Sequence, residues 1–334
     1  MSMSDHRRTT IKDVAEAAGV GIATVSRVLS GSGSASPDTR ERVLAAAARL
    51  DYRPSALGRN LRQRHTGGIG LLVPDITDMF YGRLAEGVLA CARAAGEPVI
   101  LGTTGDDPER EAELVGSLIE QSVDRVIAVP SGDRETWTPA LRAGLSVVFA
   151  DRRAPGREDV PAVVTDDRTG LRTGIEYLAG LGHRRIGFLA WHGQAQRVEA
   201  FRATLGSLGV RVDEELVVFA RATRDSAYAV AAGLFQRRPD LTALVTGGNM
   251  LGEAAMLAAR ELDLRLPRDI SLIMFNDVPW AELCSPPLTV IAQPARDMGY
   301  RAAELVLREG RRTRGATLPT ELIVRASCAP RRQG

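Results

Sequence analysis

At 334 residues the chain is long enough for two or three hydrophobic cores, since domains cluster at roughly 100–200 residues. Its 44% hydrophobic and 25% charged residues are those of an ordinary soluble protein, and no apolar run approaches the ~18–20 residues of a membrane span. The net charge of +2 conceals an asymmetry: residues 1–64 hold eleven Arg and Lys against six Asp and Glu, leaving that end at +5 and the remainder at −3. A basic end on a mildly acidic body suits a protein that brings that end to phosphate. The start, MSMSDHRRTT, carries charge with no apolar core after it, so no signal peptide is expected. Cys91, Cys284 and Cys328 are odd in number without CxxC spacing and read as reduced, buried, cytosolic thiols.

Arg7 and Arg8 either touch a phosphate backbone or form a loose arm. From Ile11 to Ala18, Ile11, Val14, Ala15 and Ala18 recur at helical spacing. Gly19 stops that helix, and a second runs from about Ile22 to Leu29 with Val25, Val28 and Leu29 available to face inward. Two short helices joined by a glycine turn describe a helix-turn-helix, although an ordinary helical hairpin has the same spacing. After the connector at Ser30–Ser36, Ser36-Pro37-Asp38 signals a new helix: a serine cap, proline in the first turn and an acid on the positive end. That helix, Pro37 to Leu50, places Val43, Leu44, Ala47 and Leu50 toward a small core. Tyr52 to Leu61 is a very short helical candidate weakened by Gly58. Such a segment either folds only against a partner or serves as a linker. Gln63–Gly68 is the boundary to the next domain.

In that domain, strands are expected at Ile69–Val73, Pro98–Leu101, Arg125–Val129, Val147–Ala150 and Val163–Val164, with helices at Phe80–Ala95 and Pro108–Gln121. The pattern restarts with strands at Ile186–Ala190, Val217–Phe219, Ala243–Thr246, Ser271–Phe275 and Thr289–Ile291. Helices at Arg168–Leu181, Val198–Leu208, Ser226–Gln236 and Leu251–Leu262 separate them. Alternation of this kind implies parallel sheets covered on both faces, here in two Rossmann-like lobes with ligands bound beyond the carboxyl ends of the strands. A return helix at Ala295–Arg308 and a closing strand at Glu321–Arg325 complete the body.

IKDVAEAAGV followed by ATVSRVLS closely resembles the headpiece of the lactose-repressor (LacI/GalR) family of bacterial transcription regulators. The likeness continues through Ser36–Arg62 and along nearly the whole chain. It implies an all-α helix-turn-helix headpiece at 1–53, a hinge helix and linker at 54–66, and an α/β two-lobed body resembling periplasmic binding proteins at 67–334. The N-lobe would take about 67–165 plus 293–320, and the C-lobe about 166–292 plus 321–330.

The resemblance places Ile22, Ala23 and Arg27 on base edges, chemistry that suits a guanidinium on guanine and a small apolar side chain on a thymine methyl. Thr24 and Ser26 would contact phosphate or bond locally, and Gly21 stands where the family usually has serine. In the hinge, Ser55, Gly58 and Leu61 belong to the DNA-contacting set, with Leu61 matching a leucine that wedges into a central C–G step of a palindromic operator.

In the body, Pro74-Asp75-Ile76-Thr77-Asp78-Met79-Phe80-Tyr81 is similar to the family's PDxxNPFF motif. This makes Asp75, Phe80 and Tyr81 effector-binding candidates, with Phe80 alternatively a core anchor. Arg197-Val198-Glu199-Ala200-Phe201 resembles RxxGF, whose arginine reaches the ligand; its fork suits vicinal hydroxyls or a carboxylate. The loop Trp191–Gln196 lacks the relatives' GPxxxxT pattern, and Trp191 either supplies a stacking surface or plugs the lobe. Met274-Phe275-Asn276-Asp277 stands where the family reads GFDD, so Asn276 replaces a ligand-binding aspartate and offers both donor and acceptor. The role of Gly248-Asn249, near the family's ND motif, stays open.

Gln293-Pro294 resembles the QP return into the first lobe, and Gly182-His183 a structural GHxxI motif. No leucine heptad tail is present at the end of the sequence, so a homodimer is expected. The resemblance therefore implies a cytoplasmic, dimeric repressor controlled by a small-molecule effector, most commonly a sugar or sugar derivative. No cofactor, metal or membrane partner is expected. A solute-binding protein sharing the two-lobed body is the alternative, against which the headpiece argues. GxGxxG, P-loop, HExxH and GxSxG motifs are all missing, which argues against an enzyme.

Overall fold

The computed structural model describes residues 9–30, 35–52, 68–308 and 314–331. Two compact units emerge, residues 1–66 and 67–334. In the first, α1 (Ile11–Ala18), α2 (Ile22–Ser30) and α3 (Pro37–Arg49) enclose a core of Val14, Ala15, Ala18, Val25, Val28, Val43, Ala46 and Ala47. Asp13 reaches back to accept from the N–H and hydroxyl of Thr10, each at 2.7 Å, which fixes the start of α1. Gly19 ends it in the left-handed region, φ 63°. Ser36 caps α3 through the Thr39 N–H, with Pro37 in the first turn. Leu44 departs from expectation: it is 49% exposed, and Ala46 takes its place inside. At about 100° per residue, positions 43, 46, 47 and 50 share a face, and Leu44 lies a quarter-turn or more off it.

The second unit holds two six-stranded sheets. The N-lobe sheet runs β11-β5-β4-β3-β1-β2, parallel throughout, and is built from β1 (Ile69–Val73), β2 (Val99–Thr103), β3 (Arg125–Ala128), β4 (Ser146–Ala150), β5 (Ala162–Thr165) and β11 (Ala316–Leu318). In the C-lobe the order is β12-β10-β9-β8-β6-β7, with β6 (Ile186–Trp191), β7 (Val217–Ala220), β8 (Ala243–Thr246), β9 (Ser271–Phe275), β10 (Thr289–Ala292) and the antiparallel β12 (Glu321–Ile323).

Helices α4 (Met79–Ala95), α5 (Pro108–Glu120), α6 (Arg134–Arg142) and α12 (Ala295–Leu307) flank the first sheet. The second is flanked by α7 (Asp167–Gly180), α8 (Ala195–Ser207), α9 (Arg224–Arg237), α10 (Asn249–Glu261) and α11 (Pro279–Leu283). The helices α6 and α11, the three-residue β11 and the 3₁₀ turn at Glu214–Leu216 are elements the sequence reading did not foresee. The closing strand stops at Ile323, short of Arg325, whose side chain turns to Asp277 instead. Of the cysteines only Cys91 is buried; Cys284 and Cys328 are half-buried, and all three are free thiols. No described helix is long and apolar enough to cross a membrane.

The chain crosses between lobes at residues 165–167, 292–295 and 318–321, and side chains tie these crossings together. Gln293 donates to Thr165 Oγ1 at 2.5 Å and to Asp167 Oδ1 at 3.2 Å. Thr320 donates to the Asp166 carbonyl, and the Asp166 N–H to the Leu318 carbonyl. One helix of the N-lobe, α12, thus arrives from the far side of the molecule, and it packs on α4 backbone to backbone. A Cβ at Gly87 would lie 1.9 Å from the Arg296 carbonyl oxygen, and one at Gly299 equally close to that of Leu84. Glycine is required there for close approach rather than for conformation. Gly299→Ala is expected to destabilise the protein by about 3 kcal/mol in urea unfolding, the overpacking cost exceeding alanine's gain in helix propensity; stabilisation would refute the contact.

Candidate functional site

Two surfaces gather the chemistry. In the first unit, α2 turns Val25 and Val28 into the core, which leaves Ile22, Ala23 and Arg27 exposed on its outer face. Ile22, 44% exposed in the first turn, is a large apolar side chain with no place in the core. Arg27 Nε donates to the Ala23 carbonyl at 3.3 Å, so its stem lies along the same face. Gly21 precedes the helix, exposed, and Thr24 and Ser26 are half-buried at its flanks. The arrangement is a short helix presenting one cationic fork and two small-to-medium apolar groups. Ser55, Gly58 and Leu61 lie outside the described residues, as do Arg7 and Arg8.

The second surface lies at the carboxyl ends of both sheets, where the lobes meet around Arg197. Each of its three nitrogens has a protein acceptor: Nε on Asp167 Oδ2 at 2.6 Å, Nη1 on the Gly247 carbonyl at 2.6 Å, and Nη2 on Gln293 Oε1 at 3.3 Å. Nη2 also stands 4.0 Å from Asp151 of the opposite lobe, and the guanidinium lies 4.3 Å over the Phe275 ring. The side chain is 11% exposed. Burial works against its charge, yet Asp167 and Asp151 outweigh it and hold the pKa above the ordinary arginine value. Three of its five N–H groups are thus engaged by the protein itself, beyond what the motif implied.

A second network begins at Asp151. Burial pushes its carboxyl above the usual range although Arg197 and Arg152 pull it down, and it accepts the Tyr81 hydroxyl at 3.4 Å. Burial, with Asp151 beside it, drives the Tyr81 pKa well up, so the phenol stays a donor. The neighbouring Arg152 donates through Nη2 to Asp106 and through Nε to the Pro130 carbonyl at 2.6 Å. Behind this loop sits Glu111, fully buried, accepting the N–H groups of Ser131 at 2.6 Å and Gly132 at 3.0 Å. Burial raises its pKa while those two N–H groups lower it. Asp106, Asp151 and Asn276 all adopt left-handed backbone, φ 60°, 67° and 73°. Asp and Asn tolerate that conformation better than other residues with a Cβ.

The remaining candidates divide. Asn276, 7% exposed, donates through Nδ2 to Asn249 Oδ1 at 3.2 Å, and among the described residues its own Oδ1 has no partner. One of its two amide N–H groups is therefore engaged, and its acceptor is open. Phe80, 4% exposed, packs with Leu84, Val88 and Cys91 along the inward stripe of α4 and meets Tyr81 edge to face, as a core anchor would. Tyr81, one residue on, carries the polar contact. Asp75 closes a turn, accepting the N–H and hydroxyl of Thr77, and no described contact joins it to the Arg197 cluster. Trp191 packs on the C-lobe core, and its backbone N–H donates to Gln194 Oε1 at 3.1 Å. His183, 3% exposed, is held by Thr242 and the Ala329 carbonyl, and burial lowers its pKa. It is a structural residue. Among the described residues no group of His, Cys, Asp and Glu could hold a metal ion.

Comparison with known proteins settles the family. Residues 10–55 match "Bacterial regulatory proteins, lacI family", and residues 175–328 match a periplasmic binding protein-like domain. The HTH-type transcriptional regulator DegA of Bacillus subtilis (strain 168) is 33% identical over 97% of this chain and 99% of its own. The chain belongs to the lacI family. It is a DNA-binding transcriptional regulator of that family, not an enzyme. The ribose operon repressor of the same organism is 34% identical, over 89% of this chain and 90% of its own. The solved complex of the transcriptional regulator CelR with cellobiose is similar at 31% identity and TM-score 0.71, covering 96% of this chain and 100% of that one.

Sequence reading missed Asp106, Asp151, Arg152, Asp167 and Glu111. The available signal was positional, since four of them follow strands directly or closely, where the fold collects polar groups. Arg197→Ala would take the counter-charge from Asp167 and leave Asp151 only Arg152, and breaking such a buried pair costs roughly 3–5 kcal/mol. Asp151's pKa, already raised by burial, would rise further. A carboxyl raised in the folded state adds stability at low pH that is lost as pH rises through that value. Chemical denaturation should therefore show a larger deficit at pH 7 than at pH 4, and a pH-independent deficit would argue against the buried pairing.

Proposed function

We propose that this lacI-family regulator is a repressor that binds a palindromic operator as a homodimer in the cytoplasm and is controlled by a small molecule, a sugar or sugar derivative, in the cleft around Arg197. The observation that carries the DNA half is the exposed Ile22, Ala23 and Arg27 face on a helix whose other side is fixed in a packed core. Arg27 reads a guanine through two hydrogen bonds, Ile22 and Ala23 meet thymine methyls, and Gly21, Thr24 and Ser26 help to set the register. Each subunit reads one half-site, because a two-fold protein matches a two-fold site. Ser55, Gly58 and Leu61 act at the centre, where Leu61 wedges a C–G step that unstacks readily.

The effector half rests on the gathering of Tyr81, Asp151, Arg197 and Asn276 at the carboxyl ends of two facing sheets, together with the ribose and cellobiose in the names of similar regulators. Effector binding changes lobe closure and hence headpiece spacing, by no more than the ligand's differential affinity for the two arrangements.

Footprinting of the purified protein on DNA flanking its own gene, repeated with a panel of sugars, tests both halves. A protected palindrome released or strengthened by one sugar is expected; no protected palindrome on flanking or random-library DNA would refute the operator reading. In the same assay Arg27→Ala should lose on the order of 1–3 kcal/mol, roughly five- to 150-fold, and relax the base preference at one half-site position. Leu61→Ala should weaken operator binding while sparing effector binding, and equal loss of both would refute the wedge.

A further inference from the structure

Resting on the reading that the cleft takes a small effector, we propose that Glu111, a residue of α5 lying behind the cleft, is a positioning residue for its N-lobe half. Its buried carboxylate sets the reach of Arg152 through the loop after β3, and so sets how tightly the effector is held.

The inward stripe of α5 is Glu111, Val115 and Leu118, at the i, i+4, i+7 spacing of a buried helix face. An apolar residue at the first of these positions would serve the core. A carboxylate there, 0% exposed, is costly unless its oxygens are satisfied. Both oxygens are satisfied by backbone: Oε2 accepts the Ser131 N–H at 2.6 Å and Oε1 the Gly132 N–H at 3.0 Å. Two successive N–H groups held by one rigid carboxylate fix the loop in orientation as well as in place. The loop is packed as closely from the other side, since a Cβ at Gly132 would lie 2.3 Å from Thr136 Oγ1.

From this loop two routes lead to the cleft. Pro130, one residue before Ser131, accepts Arg152 Nε at 2.6 Å. Ser131 Oγ donates to Asp106 Oδ1 at 3.3 Å, and Asp106 is the acceptor for Arg152 Nη2. Both anchors of Arg152 therefore lean on one carboxylate outside the cleft. With Nε and one Nη2 bond engaged, the guanidinium keeps N–H groups on Nη1 and Nη2. It stands among Asp151 and Tyr81, whose pKa values its charge pulls down. The coupling is mutual, because the Arg152 charge also lowers the Glu111 pKa against burial.

Glutamine at position 111 keeps one acceptor and turns a donor toward the second N–H, so the loop is held at one point instead of two. A carboxylate needed only for folding would change stability and leave the cleft of each folded molecule as it was.

The test uses the full-length protein and two readouts. In hydrogen exchange followed by mass spectrometry, Glu111→Gln should speed exchange at Ser131 and Gly132 and also at Asp151 and Arg152. In calorimetric titration with D-ribose and cellobiose, it should weaken the sugar that binds by roughly fivefold or more, with retained operator binding reporting an intact fold. Arg152→Lys keeps the charge but cannot meet Pro130 and Asp106 together through one planar fork. Adding Glu111→Gln to it should cost less than about twofold more. If Glu111→Gln does not fold, Ser131→Ala carries the same comparison: it cuts only the Ser131–Asp106 bond and should cost about twofold, again absent in the Arg152→Lys protein. A full loss repeated in the Arg152→Lys background, or faster exchange confined to Ser131 and Gly132, overturns the inference, since Glu111 then acts without Arg152. If neither sugar binds the wild-type protein or shifts its operator affinity, the effector reading fails for these sugars, and the exchange pattern still decides whether Glu111 positions Arg152.

Discussion

The body of this protein depends on a single buried cation. Removing a guanidinium from water is costly, and the cost is offset only where good acceptors surround it. Arg197 meets that demand with groups drawn from four places: Asp167 at the start of α7, Gly247 after β8, Gln293 at the second crossing and Asp151 at the end of β4. Three of these belong to the C-lobe or the crossings and one to the N-lobe. The hydrogen bonds join the C-lobe to the crossings, and the ion pair with Asp151 at 4.0 Å reaches the N-lobe. A ligand entering the cleft acts on a junction that is already electrostatically complete, so it must offer interactions that the protein has left open.

The local backbone reflects the same requirement. Strand ends that turn sharply need left-handed residues, and at three such positions the chain has Asp106, Asp151 and Asn276 rather than glycine. Each supplies a conformation and a polar group at once, which is why the turns after β2, β4 and β9 also form the site. Glu111, buried behind them, holds the loop at Ser131 and Gly132 so that Pro130 presents its carbonyl to Arg152.

Much of this was legible from residues alone. The headpiece could be read because Gly19, Ser36 and the apolar spacing act locally, and the two sheets because buried parallel strands appear as apolar runs. Leu44 misled because hydrophobicity was weighed above helical angle. α6 escaped because RETWTPALR is short and carries an internal proline, which masks the brief apolar stripe of Trp137, Ala140 and Leu141. Arg197 was found through its motif, but its partners lie 30, 50 and 96 residues away in the chain. Asp106 and Arg152, 46 residues apart in stretches that read as polar turns, gave no local sign that they would pair. Phe80 was legible both ways, through its motif and through the stripe it shares with Leu84 and Val88 in the core.

The central claim is that the Arg197 junction couples the cleft to the DNA-reading end. It is tested most directly by measuring the distance between probes on the two lobes of the full-length, operator-bound protein while a neutral sugar that binds is titrated. Inter-lobe distance and operator affinity should change together, with one midpoint. Operator affinity that shifts while the lobes stay fixed, or lobes that move with no change at the operator, would contradict the claim.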